Sequence, residues 1–185
     1  MRIVGGTFKG RPLSAPAGRD TRPTSERVRE AVFNILLHGV EGFSLDGARV
    51  LDVFAGTGAL GLEALSRGAR FVQFVEEAAE ARGVIRENAD SLGAIGSVKI
   101  WRRDATRLGP CAPGVPFDLV FIDPPYGKGL GTACLASLVA GGWLKPGAVL
   151  VLEEALKAEV ALPEGMARID QRDYGDTKVL FLRSP

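Results

Sequence analysis

Apolar runs alternate with amphipathic segments from residue 49 to near the end of the chain. Predominantly apolar runs of four to five residues predict buried strands at 50–54, 71–75, 98–101, 119–122 and 149–152. Segments with helical periodicity lie between them, at 60–67, 78–92 and 132–140, and a glycine follows each one. This alternation is typical of an α/β domain with a parallel sheet. Near the end of the chain, segments 167–172 and 179–182 flank Tyr174-Gly175-Asp176-Thr177, which predicts a closing hairpin.

The first 48 residues form a separate unit of organisation, ahead of the domain predicted for residues 49–185. The early glycines of this unit predict a short hairpin or loop. Thr21-Arg22-Pro23-Thr24 then leads into a predicted helix that ends at Gly39. The apolar residues of this helix share one face: Val28, Ala31, Val32, Ile35 and Leu36. Because the unit is too short to fold alone, we expect an extension packed on the core.

Composition places the chain among compact globular domains, with 185 residues, 46% of them hydrophobic and 24% charged. No apolar run approaches the ~18 residues that span a membrane, and the amino terminus lacks the hydrophobic stretch of a signal peptide. We therefore expect a cytoplasmic monomer with no membrane partner. The two cysteines lie far apart and the single histidine has no evident partner, so we expect neither a disulfide nor a metal site.

Charge is distributed unevenly along the chain, although the net charge is only +1. Residues 1–40 carry a net charge of +4, and the remaining residues carry −3. A cationic arm on a mildly acidic body is typical of a protein that contacts phosphates, because phosphate contacts supply most nucleic-acid affinity. A solvated terminus without a partner is the alternative interpretation.

A glycine-rich turn follows the first predicted strand and indicates a nucleoside-containing cofactor. The pattern G-x-G-x-x-G spans residues 56–61, where bare backbone at a helix start can approach a ligand. Glu76 ends the next strand, where a carboxylate can accept both hydroxyls of a ribose. Asp52 would repel the pyrophosphate of NAD and favour the cationic methionine moiety of S-adenosylmethionine. The predicted cofactor-binding residues are Asp52, Phe54, Ala55, Gly56, Thr57, Gly58, Gly61, Glu76, Asp104 and Ala105.

Asp104 is assigned to this set because it follows the third predicted strand, where it could accept the adenine amino group. A surface or helix-capping acid is its alternative role.

Asp123-Pro124-Pro125-Tyr126 follows the fourth predicted strand. Ligand sites in open α/β sheets lie at the carboxyl ends of the strands, so we expect this segment beside the glycine turn. Consecutive prolines remove two donors and leave the Asp123 carboxylate and the Pro124 carbonyl as acceptors for a group with two N–H donors. The exocyclic amine of a nucleic-acid base is such a group, and Tyr126 offers a ring for stacking. We predict that these four residues are the catalytic segment; a proline-rich loop that merely ends a strand is the alternative.

The glycine turn together with Asp123-Pro124-Pro125-Tyr126 resembles class I S-adenosylmethionine-dependent amino-methyltransferases. The amino-terminal unit narrows the resemblance, because its residues 2–6, 9–11 and 21–36 are similar to the RsmD family. Residues 62–69 and 174–177 are similar to that family as well, so the resemblance covers nearly the whole chain. The alanine-rich stretch 77–83 departs from the family pattern, which weakens the assignment of Glu76 to the ribose.

This resemblance implies methyl transfer from S-adenosylmethionine to the exocyclic N2 amine of a guanine in small-subunit (16S) ribosomal RNA. It implies a Rossmann-like, mostly parallel seven-stranded sheet with one antiparallel strand and helices on both faces. It also implies an RNA substrate presented within a ribosomal particle. The arginines that become candidates for phosphate contacts are Arg11, Arg22, Arg27 and Arg29. Structural ion pairs are the alternative role of each arginine.

Four other functions stay open at this point: methylation of adenine N6 in DNA or RNA, methylation of a protein glutamine, NAD-dependent oxidation, and RNA binding without catalysis. A protein-glutamine methyltransferase is expected to have Asn in place of Asp123. DNA adenine methyltransferases usually carry an added target-reading domain, for which this chain has no room. NAD is disfavoured by Asp52. The intact carboxylates of Asp52, Glu76 and Asp123 argue against a noncatalytic protein.

Overall fold

Seven strands form at the predicted apolar runs and hairpin, in a computed structural model that describes residues 1–17 and 25–185. They are β1 (Arg49–Val53), β2 (Phe71–Val75), β3 (Val98–Trp101), β4 (Phe117–Ile122), β5 (Leu144–Ala155), β6 (Ala167–Tyr174) and β7 (Thr177–Arg183). The fifth strand is longer than predicted, because Lys145-Pro146-Gly147 interrupts the apolar pattern without ending the strand. The predicted hairpin is β6 and β7, joined at Gly175 and Asp176.

The sheet has the strand order β3-β2-β1-β4-β5-β7-β6. β7 runs antiparallel to both of its neighbours, and the remaining pairings are parallel. This mostly parallel sheet with one antiparallel strand confirms the fold implied by the family resemblance. Between β1 and β4 the order of the strands reverses direction, and ligands of such sheets bind in the crevice at that point.

The described residues form four α-helices and one short 3₁₀ helix (Ile95–Ser97); the first α-helix precedes β1, and the others lie between strands. The α-helices are α1 (Glu26–His38), α2 (Ala59–Ser66), α3 (Ala79–Ser91) and α4 (Leu130–Ala140). Within the described ranges, no helix has the length and apolar character needed to cross a bilayer.

Helices cover both faces of the sheet, and the side chains of successive strand residues pack against helices on opposite faces. Leu119 belongs to the apolar cluster under α1, α2 and α3, and the next residue, Val120, belongs to the cluster under α4. The amino-terminal hairpin closes through an Ile3 N to Arg11 O hydrogen bond of 2.9 Å and contributes Ile3 and Leu13 to the first cluster. α1 begins after Ser25, whose hydroxyl accepts the Val28 N–H at 3.2 Å.

Candidate active site

A cavity of about 470 Å³ lies at the carboxyl ends of β1, β2 and β4. The glycine turn, the end of β2 and the loop after β4 supply most of its wall. Ten of the predicted cofactor-binding and catalytic residues line it together: Asp52, Phe54, Ala55, Gly56, Thr57, Glu76, Asp123, Pro124, Pro125 and Tyr126. The structure therefore places the predicted cofactor turn and the predicted catalytic segment on one cavity.

The backbone of the glycine turn has two left-handed residues at the cavity. Gly56 has φ = +56°, and a Cβ atom built there would meet nothing within 4 Å, so the space before it is open to a ligand. Phe54 has φ = +55°, a conformation that side-chain-bearing residues adopt rarely and that concentrates at functional sites. A ligand can lie directly against this stretch of main chain.

Gly58 and Gly61 do not line the cavity, and they are needed for other reasons. Gly58 precedes α2 with φ = +77°. A Cβ atom on Gly61 would lie 2.5 Å from the ring of Phe74, so this glycine allows α2 to pack closely on β2.

Glu76 is fixed at the cavity wall by two main-chain donors. Its Oε2 accepts the Gly56 N–H at 2.8 Å, and its Oε1 accepts the Ala78 N–H at 2.9 Å. A carboxylate has about four acceptor positions, so each oxygen keeps capacity for a hydroxyl of a ligand. The carboxylate thus holds the glycine turn and remains able to accept the two hydroxyls of a ribose.

Asp52 is a buried acid beneath the turn, with 2% of its surface exposed. Burial raises the pKa of Asp52 to about 8; the nearby charge of Glu76 also raises it, while the Gly61 N–H bond to Oδ2 at 2.9 Å lowers it. A bound cation would favour the ionised form of this carboxyl. The position suits a positively charged ligand and opposes a phosphate.

Asp123 lies at the end of β4, beside other acids on the same face of the sheet. Burial raises the pKa of Asp123 well above its usual range, and neighbouring negative charges raise it further. These charges are those of Glu153, Asp52 and Glu154. Asp123 is therefore a stronger base than an exposed aspartate.

Glu153 and Glu154, at the end of β5, are functional candidates that the sequence interpretation missed. The Tyr126 hydroxyl donates to Glu153 Oε1 at 2.5 Å, and the Gly127 N–H donates to Glu154 Oε1 at 2.9 Å. Their signal in the sequence is a pair of acids that follows four apolar residues at the end of a predicted strand.

Asp104 and Ala105, like Gly58 and Gly61, do not line the cavity. Asp104 Oδ1 accepts the Thr106 N–H at 2.8 Å and the Thr106 hydroxyl at 2.7 Å, and these bonds lower the pKa of Asp104. Ala105 is buried in the apolar cluster under α4. Contact of either residue with an adenine ring stays a prediction.

Contact of Arg29 with RNA stays a prediction, and the structure favours the alternative role of this arginine, a structural ion pair. Its side chain is fully buried and its Nε lies 3.3 Å from Glu63 Oε2, in an ion pair that Arg67 shares through Glu63 Oε1 at 2.9 Å. Arg29 also donates to the main-chain carbonyl of Arg2. The buried face of α1 includes this charged residue, because a partner on α2 offsets the cost of burying it.

The other predicted RNA-contacting arginines differ in their environments. Arg27 is exposed on α1. Arg11 is exposed, and its Nη2 donates to the Ser91 carbonyl at 2.5 Å. Arg22 lies outside the described residues.

The strand order, the glycine turn and the carboxylate-proline segment together define a Rossmann-like methyltransferase. A family model described as "Conserved hypothetical protein 95" matches residues 1–183. The chain belongs to this family, the RsmD family.

The chain is similar to proteins that are named as methyltransferases. A candidate rRNA methyltransferase of Bacillus subtilis is 37% identical over 188 residues, which cover 99% of this chain and 98% of the relative. Ribosomal RNA small subunit methyltransferase D of Escherichia coli K12 is 36% identical over 157 residues, which cover 85% of this chain and 76% of the relative. The solved structure of a candidate Escherichia coli methyltransferase matches with a TM-score of 0.82 at 32% identity, covering 99% of this chain and 97% of that one.

Proposed function

We propose that this protein transfers a methyl group from S-adenosylmethionine to the exocyclic N2 amine of a guanine in small-subunit ribosomal RNA. The observation that carries the proposal is that the Gly56 turn, Glu76 and the segment from Asp123 to Tyr126 line one cavity. The relatives named as small-subunit ribosomal RNA methyltransferases support the substrate class.

The residues at the turn fit S-adenosylmethionine. Open space before Gly56 admits a ligand against main chain, and Glu76 keeps acceptor capacity for ribose hydroxyls. The charged side chains that line the cavity are four acids and one arginine, which favours the ammonium and sulfonium charges of this cofactor over the pyrophosphate of NAD. When bound, the cofactor supplies an electrophilic methyl group.

The Asp123 carboxylate and the Pro124 carbonyl hold the amine of the target base. Two acceptors can bind both amine hydrogens and orient the nitrogen, and this positioning supplies most of the acceleration. Asp123 then serves as an acceptor for the proton that the methylated nitrogen releases, since the raised pKa of its carboxyl makes it a competent base. The ring of Tyr126 forms a stacking surface for the base.

The amino-terminal unit contacts the RNA in this proposal. Arg27 and Arg11 are exposed cations of that unit, and phosphate contacts position a nucleic acid without reading its sequence. We infer that a cytoplasmic monomer acts on the RNA within the small-subunit particle.

Transfer of labelled methyl groups to small ribosomal subunits that lack the modification tests the function, followed by mapping of the labelled base. The wild-type protein should label one guanine at N2. Label on adenine, or tight binding of NAD with none of S-adenosylmethionine, contradicts the proposal.

Asp123→Ala tests the role of the catalytic segment. Loss of one amine acceptor should lower kcat by about a hundredfold or more, because orientation of the amine is lost. Affinity for S-adenosylhomocysteine, measured by calorimetry, should change by less than about threefold, since Asp123 is proposed to bind the amine of the target base and not the cofactor. Asp123→Asn keeps an acceptor oxygen and loses the charge, so its kcat should lie between that of the wild type and that of Asp123→Ala. Normal methyl transfer by Asp123→Ala would overturn the assigned role.

A further inference from the structure

Hydrogen bonds hold both the side chain of Tyr126 and the main chain that directly follows it. Its main chain follows two prolines, and the N–H of the next residue, Gly127, donates to Glu154 Oε1 at 2.9 Å. Its hydroxyl donates to Glu153 Oε1 at 2.5 Å. Two consecutive glutamates of one strand therefore hold two consecutive residues of the loop after β4.

Register explains why Glu153 is beside this loop although it lies 27 residues further along the chain. β4 and β5 are parallel neighbours, and Ile122 pairs with Leu152 at the end of the ladder. One position further along, Asp123 and Glu153 are side by side on the same face of the sheet. The glutamate thus stands on a strand of the rigid sheet, while the tyrosine stands on a loop.

The loop after Tyr126 places few restraints of its own on the main chain. Gly127 and Gly129 have φ values of +72° and +67°, so the main chain after Tyr126 runs through two residues with few conformational restraints. A phenol hydroxyl anchored on a carboxylate fixes the far end of the ring, and a hydrogen bond to an ionised acceptor is stronger than one between neutral groups. Such an anchor prepares the ring before any ligand arrives.

We propose that Glu153 is a positioning residue, which fixes the ring of Tyr126 as the wall against which the target base stacks. This inference rests on the proposed function for the identity of the base. It assigns Glu153 no contact with the substrate or the cofactor, and its effect on methyl transfer passes through the Tyr126 hydroxyl.

The prediction for kinetics follows from this coupling. Glu153→Ala should lower kcat/KM for unmodified small ribosomal subunits by about tenfold to a hundredfold, because a misplaced ring no longer orients the base. Affinity for S-adenosylhomocysteine should stay within about twofold. Glu153→Gln keeps an acceptor oxygen and should retain most of the activity. Glu159→Ala, which removes an exposed acid between β5 and β6, serves as the matched control and should behave as wild type.

A double-mutant cycle separates positioning from proton transfer by Glu153 itself. Tyr126→Phe should reproduce the loss seen in Glu153→Ala, and the double variant should lose no more than either single variant. Additive losses, or normal kinetics of Glu153→Ala, would overturn the proposal. A Glu153→Gln variant as inactive as Glu153→Ala would also contradict it, because proton acceptance would then be the role of the glutamate.

A second measurement does not depend on activity and keeps this inference separable from the proposed function. The chain has two tyrosines, so ring-labelled tyrosine gives two sets of NMR signals, and Tyr174→Phe assigns them. The Tyr126 ring should show restricted motion in the wild type and in Glu153→Gln, and free motion in Glu153→Ala. A ring of equal mobility in all three proteins contradicts the positioning role. Absence of methyl transfer by the wild type, with the NMR result as expected, contradicts only the proposed function.

Discussion

Asp52 has a different chemical state from that of an ordinary aspartate. It is buried under the glycine turn, its Oδ2 accepts the Gly61 N–H, and its pKa is raised to about 8. Near neutral pH the carboxyl is therefore mostly protonated when no cation is bound. Asp52 must release this proton before a positively charged ligand gains the full attraction of the carboxylate.

The affinity for S-adenosylmethionine should consequently rise with pH. The fraction of ionised Asp52 increases through a pKa of about 8, and only the ionised form attracts a cation strongly. We expect up to about tenfold tighter binding at pH near 9 than at pH near 7, with proton release detectable by calorimetry in buffers of different ionisation enthalpy. S-adenosylhomocysteine, which lacks the sulfonium charge, should show a weaker dependence. Asp52→Asn should abolish this contribution; an unchanged pH profile in that variant contradicts the assignment.

Two glycines that lie within helices, Gly61 and Gly83, have different roles. Gly61 lies within α2 against β2, whereas Gly83 lies on α3 with open space where a Cβ atom would be. Sequence alone shows two glycines in two predicted helices. The neighbours of each glycine in the folded structure distinguish their roles.

Alanine at these two glycines should therefore change stability in opposite directions. Gly61→Ala places a methyl group 2.5 Å from the Phe74 ring and should lower the free energy of unfolding by about 1–3 kcal/mol. Gly83→Ala should raise it by up to about 1 kcal/mol, because alanine has the higher helix propensity. Urea denaturation measures both changes. Equal effects of the two substitutions would show that α2 does not pack on β2 as closely as described.

At the scale of elements, Glu63 of α2 connects that helix to the amino-terminal hairpin and to α1. Its carboxylate accepts the Val4 N–H at 3.0 Å and the Gly5 N–H at 2.8 Å from the amino-terminal hairpin. It also pairs with Arg29 of α1 and with Arg67. The hairpin and the first helix are thereby fastened to the wall of the cavity through one buried acid.

Removal of this acid should have a large cost. Glu63→Ala leaves Arg29 buried without its partner, and breaking a buried pair from one side costs about 3–5 kcal/mol. Chemical denaturation should record this loss, together with faster amide exchange of residues 4 and 5. Glu80→Ala, at an exposed position of α3, is the control and should cost less than about 1 kcal/mol. A loss below that figure for Glu63→Ala would mean that the ion pair contributes little.

At the scale of the whole molecule, the exposed cations Arg11 and Arg27 of the amino-terminal unit do not line the cavity that holds the catalytic segment. Neutralising an RNA-contacting cation should weaken RNA affinity and reduce its dependence on salt. We expect Arg27→Gln to lower the slope of log affinity against log salt by about 0.7–0.9, with cofactor affinity unchanged. Arg168→Gln, on β6 at the far edge of the sheet, is the control. Equal slopes for wild type and Arg27→Gln would remove Arg27 from the RNA interface.

Much of this architecture could be predicted from the sequence, because local patterns carry it. Apolar runs located the strands, and the glycine turn and the Asp123 segment follow strands whose ends meet at one edge of the sheet. Glu153 could not be found in this way, since its contact with Tyr126 depends on the register of two strands 27 residues apart. The burial of Arg29 depends likewise on Glu63 in another helix, and helical periodicity carries no information about that partner.

One irregularity of the sheet indicates where β5 can accept insertions or deletions. Between Phe117 and Leu119, β4 advances two residues while β5 advances five, from Leu144 to Val149, so β5 carries three extra residues there. Regular pairing resumes from Val149 to Leu152, ahead of Glu153. Insertions or deletions among residues 145–147 can be absorbed at that spot, whereas a single residue gained or lost after 149 would turn Glu153 to the opposite side of the sheet. Evolution, or a protein engineer, has room to lengthen one end of this strand and almost none at the other.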